Sequence, residues 1–296
     1  MKKDEILSIQ PKVLTQEQRL NYFENGYLAL EKFVSDDWLT RLNDVTAEFI
    51  DESRKMTASD GKFDLEPDHN ADSPRLRRLM APVEQHPVYR EFGLEGPLVD
   101  IAEDLLGPNV KYHHSKLNFK WSDGGEEVKW HQDVPFWPHS NAAPLTIGLY
   151  LADVDDEMGP LGVLPGSHLG PFYSHYNDRG EWTGALRDED ANKLDFSKAE
   201  YLSGPAGSVT IHNSWMIHGS VPNNSPRSRN LLLHTYSAGD SIPLSTLVAA
   251  YPHSDKFVRG SMPVKMELEQ RPFEMPPDWS GGYTSIFDLQ QKELES

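Results

Sequence analysis

The sequence predicts a mainly β fold, a jelly roll or cupin-like barrel with flanking N-terminal helices. Three observations predict it. From about residue 108 short apolar runs are punctuated by Gly, Pro and Asn, no helical period intervenes between them, and helical periodicity is concentrated earlier in the chain. A chain of 296 residues can hold two small domains, but barrels of this length commonly form one. The expectation is therefore a single domain over 1–296. It would comprise a helical part to about 107, a barrel core over about 108–240, an insertion or lid over about 170–207, and a C-terminal extension over about 241–296.

The elements follow in order. Thr15 with Gln18 forms a capping box that opens a helix carrying Leu20, Tyr22 and Phe23, and Gly26 ends it. A short strand, Tyr27 to Leu30, comes next. Ser35 caps a second helix whose Leu39, Leu42, Val45 and Ile50 share one face. The polar stretch from about Thr57 to Pro74 reads as loop, and another helix runs from about Pro97 to Leu106 before Gly107-Pro108. The strands expected in the barrel are Val110–Lys120, Val128–Gln132, Leu145–Ala152, Gly162–Leu164, Ser208–His212, Trp215–His218 and Leu231–Tyr236. Between Gly170 and Gly207 the sequence is polar, dotted with aromatics and without period. Loops of that length inside a compact domain are usually functional covers or disordered.

Composition narrows the chemistry. With 28 basic and 46 acidic side chains the formal net charge is -18, and the average field repels nucleic-acid phosphates and anionic membranes. The absence of cysteine removes disulfides, thiolate zinc sites, iron–sulfur clusters and cysteine nucleophiles, so a metal must bind through His, Asp or Glu. The N-terminal stretch MKKDEILSIQPKVL lacks the apolar run of a signal peptide, and no later stretch approaches the roughly 20 apolar residues of a membrane span. A cytoplasmic protein acting on a small molecule is the expectation, with no nucleic-acid or membrane partner. Its oligomeric state is not legible.

In Lys129-Trp130-His131-Gln132-Asp133, strand alternation turns His131 and Asp133 to one face and Gln132 to the other. His218 arrives 85 residues after Asp133. Two imidazoles and one carboxylate on one face, with open positions opposite, make the facial arrangement of a non-haem Fe(II) oxygenase. Taken alone, an H-x-D pair is common. His69, His86, His139, His175 and His253 read as surface histidines, and His113, His114, His212 and His234 as polar strand positions. His212 competes with His218, because both have the same parity on an extended segment. What favours His218 is the turn-rich segment that follows it, which delivers Arg229 to the next strand. A guanidinium there can pair bidentately with a carboxylate.

These residues carry a resemblance to the phytanoyl-CoA dioxygenase family, which includes ectoine hydroxylase. It extends from LTQEQRLNYFENGYLALEKFVS near the N-terminus to Phe257-Val258-Arg259-Gly260. Its most specific pieces are HSKLNFK at 114–120, HQD at 131–133, GPLGVLPGSHLG at 159–170 and GSVTIHNSWMIHGS at 207–220, with Arg229 eleven residues beyond His218. The resemblance implies a double-stranded β-helix, with 2-oxoglutarate converted to succinate and CO2 while dioxygen is used to attack a C–H bond. It implies Fe(II) on His131, Asp133 and His218, and 2-oxoglutarate on Arg229, with Ser220, Asn118 and Thr146 assisting. Trp137 corresponds to an aromatic beside the substrate, and plain core packing accounts for it equally well. His168 in the LPGSH hairpin reads as architecture. No basic cluster suited to a CoA diphosphate stands out. The reading is a hydroxylase of a small or medium-sized metabolite; Asp133 argues against halogenation, which needs that carboxylate missing. The competing readings are a cupin-like metal hydrolase or isomerase that activates water, and a non-catalytic binding module on the same barrel.

Overall fold

The computed structural model describes residues 1–122, 126–245, 251–278, 286 and 290. Its N-terminal part follows the capping signals. The helix Gln16–Asn25 opens on Thr15, whose side chain accepts the Gln18 N–H while Gln18 reaches back to the Thr15 N–H. It closes at Gly26, where φ is 83°. A side chain is barred there twice over, because an added Cβ would also lie 2.4 Å from His168 Nδ1 and Met216 Cε. The helix Asp36–Ser53 opens on Ser35 and buries Leu39, Leu42, Val45 and Phe49. Helices Pro87–Glu95 and Leu98–Leu106 complete the layer.

Twelve strands are found among the described residues: β1 (Tyr27–Leu30), β2 (Phe63–Leu65), β3 (Leu76–Met80), β4 (Val110–Lys120), β5 (Val128–His131), β6 (Leu145–Tyr150), β7 (Leu161–Val163), β8 (Glu200–Leu202), β9 (Val209–Asn213), β10 (His218–Ser220), β11 (Arg229–Ala238) and β12 (Phe257–Arg259). They form two antiparallel sheets, as expected of the jelly roll. The larger runs β1-β9-β6-β11-β4-β3-β2 with β12 also on β4, and the smaller runs β5-β10-β7-β8. Alternation gives the larger sheet two distinct faces. Leu117, Ile147, Ile211 and Leu232 join the helices in the main core. Lys116, Asn118, Thr146, Arg229, Leu231 and Leu233 point the other way and share a cavity with His131 and His218 of the smaller sheet.

Several expectations need correction. The stretch read as loop contains β2, which pairs with β3. Trp215–Ile217 is not strand; a turn closed by Met216 N–H to Asn213 O, at 2.9 Å, occupies it, and the strand starts at His218. The insertion contains β8 and the single-turn helix Asp188–Ala191, both too short to leave a period. His139 and His175 are not on the surface, being 2% and 0% exposed. Long-range packing buries them: His175 belongs to the insertion, which folds back so that its ring accepts the Gln132 N–H at 3.1 Å. Among the described residues, no helix is long and apolar enough to cross a membrane.

Candidate active site

The site is built across the smaller sheet and closed by the larger one. β5 and β10 pair antiparallel with His131 directly opposite His218, and their ring centroids lie 4.1 Å apart. Asp133 follows in the turn after β5, where its N–H bonds Ser214 O at 2.9 Å. Gln132 between them points away, bonding Trp215 O and Tyr173 N–H at 2.8 and 2.9 Å. The donor atoms of His131, Asp133 and His218 all lie within 4.8 Å of one another, and all three side chains are buried.

Hydrogen bonds behind the rings decide which nitrogens face the cavity. His131 Nδ1 lies 2.8 Å from Lys129 O and His218 Nδ1 2.9 Å from Met216 O. A carbonyl only accepts, so each Nδ1 carries the proton and each Nε2 presents a lone pair. Burial pushes the His131 imidazolium down to about 4 and holds His218 well below the ordinary range, so both rings are neutral near pH 7. Burial works against the Asp133 charge, but His218, His212 and the Lys116 ammonium outweigh it and keep the carboxyl ionised. Thr146 Oγ1 donates to Asp133 Oδ2 at 3.3 Å. Two neutral nitrogens and one hard oxygen fit a divalent first-row metal with open positions for further ligands.

His212 stands beside this group without joining it. Its Nε2 is 3.5 Å from Asp133 Oδ2, and neither ring nitrogen has a hydrogen-bond partner in the protein. At the far end of the cavity Arg229, the first residue of β11, lies opposite Lys120 of β4. Arg229 is 4% exposed, donates through Nη1 to Gly159 O at 3.0 Å, and leaves its Nε unpartnered. Lys120 Nζ donates to Ser220 Oγ at 2.7 Å and to Val221 O. No described carboxylate lies within ion-pair distance of either cation. Burial and the adjacent Arg229 push the Lys120 ammonium well below its ordinary range, and a buried, uncompensated guanidinium is itself costly unless an anion joins it.

The other expected residues are placed as follows. Asn118 lines the cavity with an unpartnered buried Oδ1, and Ser220 and Thr146 line it too. Trp137 is buried against His113, His114 and His139, with centroids 5.2–5.9 Å away, and is not among the residues lining the triad's cavity. His168 faces Phe23 O at 3.4 Å, away from the donor group. Lys116 and Lys120 were missed, although they share strand parity with Asn118 and alternation alone would have drawn them in.

The family model for phytanoyl-CoA dioxygenase matches residues 22–231. The chain belongs to the phytanoyl-CoA dioxygenase family. As a member it is a non-haem iron and 2-oxoglutarate dependent dioxygenase. It is 33% identical, over 93% of its length and 96% of the relative's, to a probable alpha-ketoglutarate-dependent hypophosphite dioxygenase of Stutzerimonas stutzeri. It is 34% identical to an L-proline trans-4-hydroxylase of Streptomyces griseoviridis, over 56% of this chain and 68% of that one. Among solved structures, EctD from S. alaskensis with bound Fe superposes with a TM-score of 0.68 at 22% identity, covering 91% of this chain and 92% of that one. That likeness supports the double-stranded β-helix expected of the family.

Proposed function

We propose that this dioxygenase hydroxylates, or otherwise oxidises, a small metabolite, with His131, Asp133 and His218 holding the iron and Arg229 holding 2-oxoglutarate. The observation that carries this is the shared cavity: a neutral-imidazole and carboxylate donor group at one end, and a buried cation without a carboxylate partner at the other. When bound, iron and 2-oxoglutarate supply the oxidation, in which dioxygen and the co-substrate yield succinate, CO2 and an oxidised product.

The protein's own residues orient and insulate. Lys129 O and Met216 O fix both imidazoles in the ligating tautomer, and Thr146 steadies Asp133. Arg229 offers a planar fork to the distal carboxylate of the co-substrate. Lys120 adds charge beside it and orients the Ser220 hydroxyl, while the Asn118 amide faces the same space. Leu231 and Leu233 supply an apolar wall that raises the strength of these polar contacts. A hydrolase activating water at the same three donors has no use for the Arg229 end.

The test is succinate release from 2-oxoglutarate in the presence of Fe(II), dioxygen and pools of small metabolites. Iron-dependent succinate formation that a particular metabolite stimulates is expected. Turnover of a substrate without dioxygen, or succinate release indifferent to iron, would refute the proposal.

A further inference from the structure

The inward face of β4 carries His114, Lys116, Asn118 and Lys120 in a two-residue repeat. Its two lysines stand at different distances from the donor group: Lys116 lines the cavity, and Lys120 lies beyond it beside Arg229. Lys120 faces Arg229 across the sheet, whereas Lys116 lies four residues away, about 13 Å along the strand, between Leu233 of β11 and Met80 of β3. The charged and titratable groups whose fields reach Lys116 are Asp133, Arg78, His114 and His131, of which Asp133 and His131 belong to the donor group. Arg78 is already matched by Asp64 at 3.2 Å. Lys116 lines the cavity with the donor group, yet among the described residues it has neither a hydrogen-bond acceptor nor a carboxylate within ion-pair distance.

Beside it the imidazoles are equally uncommitted. Opposite the irregularity between Thr235 and Tyr236, His113 and His114 bring their Nδ1 atoms within 2.6 Å of each other. That contact leaves Nε2 as the free atom of His114. Nε2 of His113 and Nε2 of His139 are buried with no partner. Of this group Lys116 is the one that lines the donor group's cavity, with nothing there to receive it.

Charge accounting decides what belongs there. A divalent iron, the Asp133 carboxylate, the dianionic co-substrate and Arg229 cancel. Lys120 donates to the oxygens of Ser220 and Val221, and burial with the neighbouring Arg229 charge pushes its ammonium well below the ordinary range; Lys116 has no such partners and remains over, in the cavity with the donor group. A neutral substrate would seal an unpaired ammonium inside the cavity, and an anionic one would pair it. We infer that the primary substrate is a small anion, a carboxylate or a phosphorus oxyanion, whose negative group is held by Lys116 while its reactive C–H or P–H bond faces the metal. This deepens the proposed function and rests on it. In the reaction the X–H bond is replaced by X–OH, one atom of dioxygen entering the product and the other entering succinate as CO2 leaves.

The experiment is anaerobic titration of the Fe(II) and 2-oxoglutarate loaded protein, following the metal-to-ligand charge-transfer absorption and the heat of binding. One arm uses hypophosphite, a second uses L-proline and short-chain carboxylates, and a control uses the corresponding amides, which lack the carboxylate charge. An anion of one arm is expected to bind and perturb the band, with the amides inert. Lys116→Met is expected to weaken that binding at least tenfold while changing 2-oxoglutarate affinity less than twofold, and Lys116→Arg to retain most of it. The inference is overturned if no anion of either arm binds to a protein that shows the band, or if Lys116→Met binds the anion as the parent does. It is also overturned if Lys116→Met loses 2-oxoglutarate affinity, for Lys116 would then belong to the co-substrate. Absence of the band in the parent protein would instead refute the proposed function itself.

Discussion

Replacing Arg229 by Ala isolates the co-substrate end of the cavity. The guanidinium is 4% exposed, spends one Nη1 hydrogen bond on Gly159 O and has no carboxylate partner among the described residues. It is therefore set to form a buried, charge-assisted pair. Truncating one side of such a pair costs about 2–5 kcal/mol. Lys120, opposite on β4, retains part of the attraction, which places the expectation at about 2–3 kcal/mol, on the order of 30- to 150-fold in 2-oxoglutarate affinity. Fe(II) affinity should stay near that of the parent, because no metal donor is touched. Arg227→Ala is the matched control: that side chain is 51% exposed and paired with Asp155, where an ion pair contributes little. Titrating 2-oxoglutarate into the anaerobic Fe(II) protein and following the charge-transfer absorption gives both affinities. An Arg229→Ala variant that binds 2-oxoglutarate like the parent, or an Arg227→Ala variant that loses it, would refute the reasoning.

The remaining expectations concern the metal, acid stability and the N-terminal packing. His131→Ala, Asp133→Ala and His218→Ala should each abolish stoichiometric Fe(II) binding, measured by equilibrium dialysis, while His212→Ala keeps it; the reverse order for the two last histidines would exchange their roles. His234 is fully buried, with neither ring nitrogen partnered, and burial pushes it down to about 3 from 6.5. Below pH 6.5 the unfolded chain binds a proton that the folded one refuses, so the neutral ring's stabilisation is complete above 6.5 and is lost progressively as pH falls toward 3. His234→Leu should remove about 2 kcal/mol of the stability lost between pH 7 and 5, seen in urea unfolding at both values; an unchanged pH dependence would count against it. Gly26→Ala should destabilise by roughly 2 kcal/mol or more through its positive φ and its clash with His168 and Met216, and an unchanged thermal midpoint would contradict that.

Most of the scaffold was legible because its signals are local. Thr15, Gly26 and Ser35 mark helix ends through chemistry confined to a few residues, and β1 and β4 have the bounds that periodicity gave them. The choice between His212 and His218 was different in kind. Both have the same parity on one extended run, but the chain turns at Ser214–Ile217, leaving His212 in the larger sheet and moving His218 to the smaller one opposite His131. Periodicity cannot register a change of sheet; only the motif spacing favoured His218. The burial of His139 and His175, and the paired Nδ1 atoms of His113 and His114, depend on packing and register irregularities between distant segments. No local pattern encodes them.

The Gln132 side chain has a thermodynamic consequence. Gln132 sits between two of the donors, and the insertion grips it from behind: His175 accepts its backbone N–H, while its carboxamide takes the Tyr173 N–H and reaches Pro171 O. Any energy that seats the insertion is thereby spent partly on fixing where His131 and Asp133 stand. Linkage makes the relation symmetrical. If a metal ion on those donors protects the insertion from opening, then a seated insertion must tighten the metal by the same factor. Substitutions that loosen the insertion's hold on Gln132 would then be read in iron occupancy as well as in the insertion's own opening.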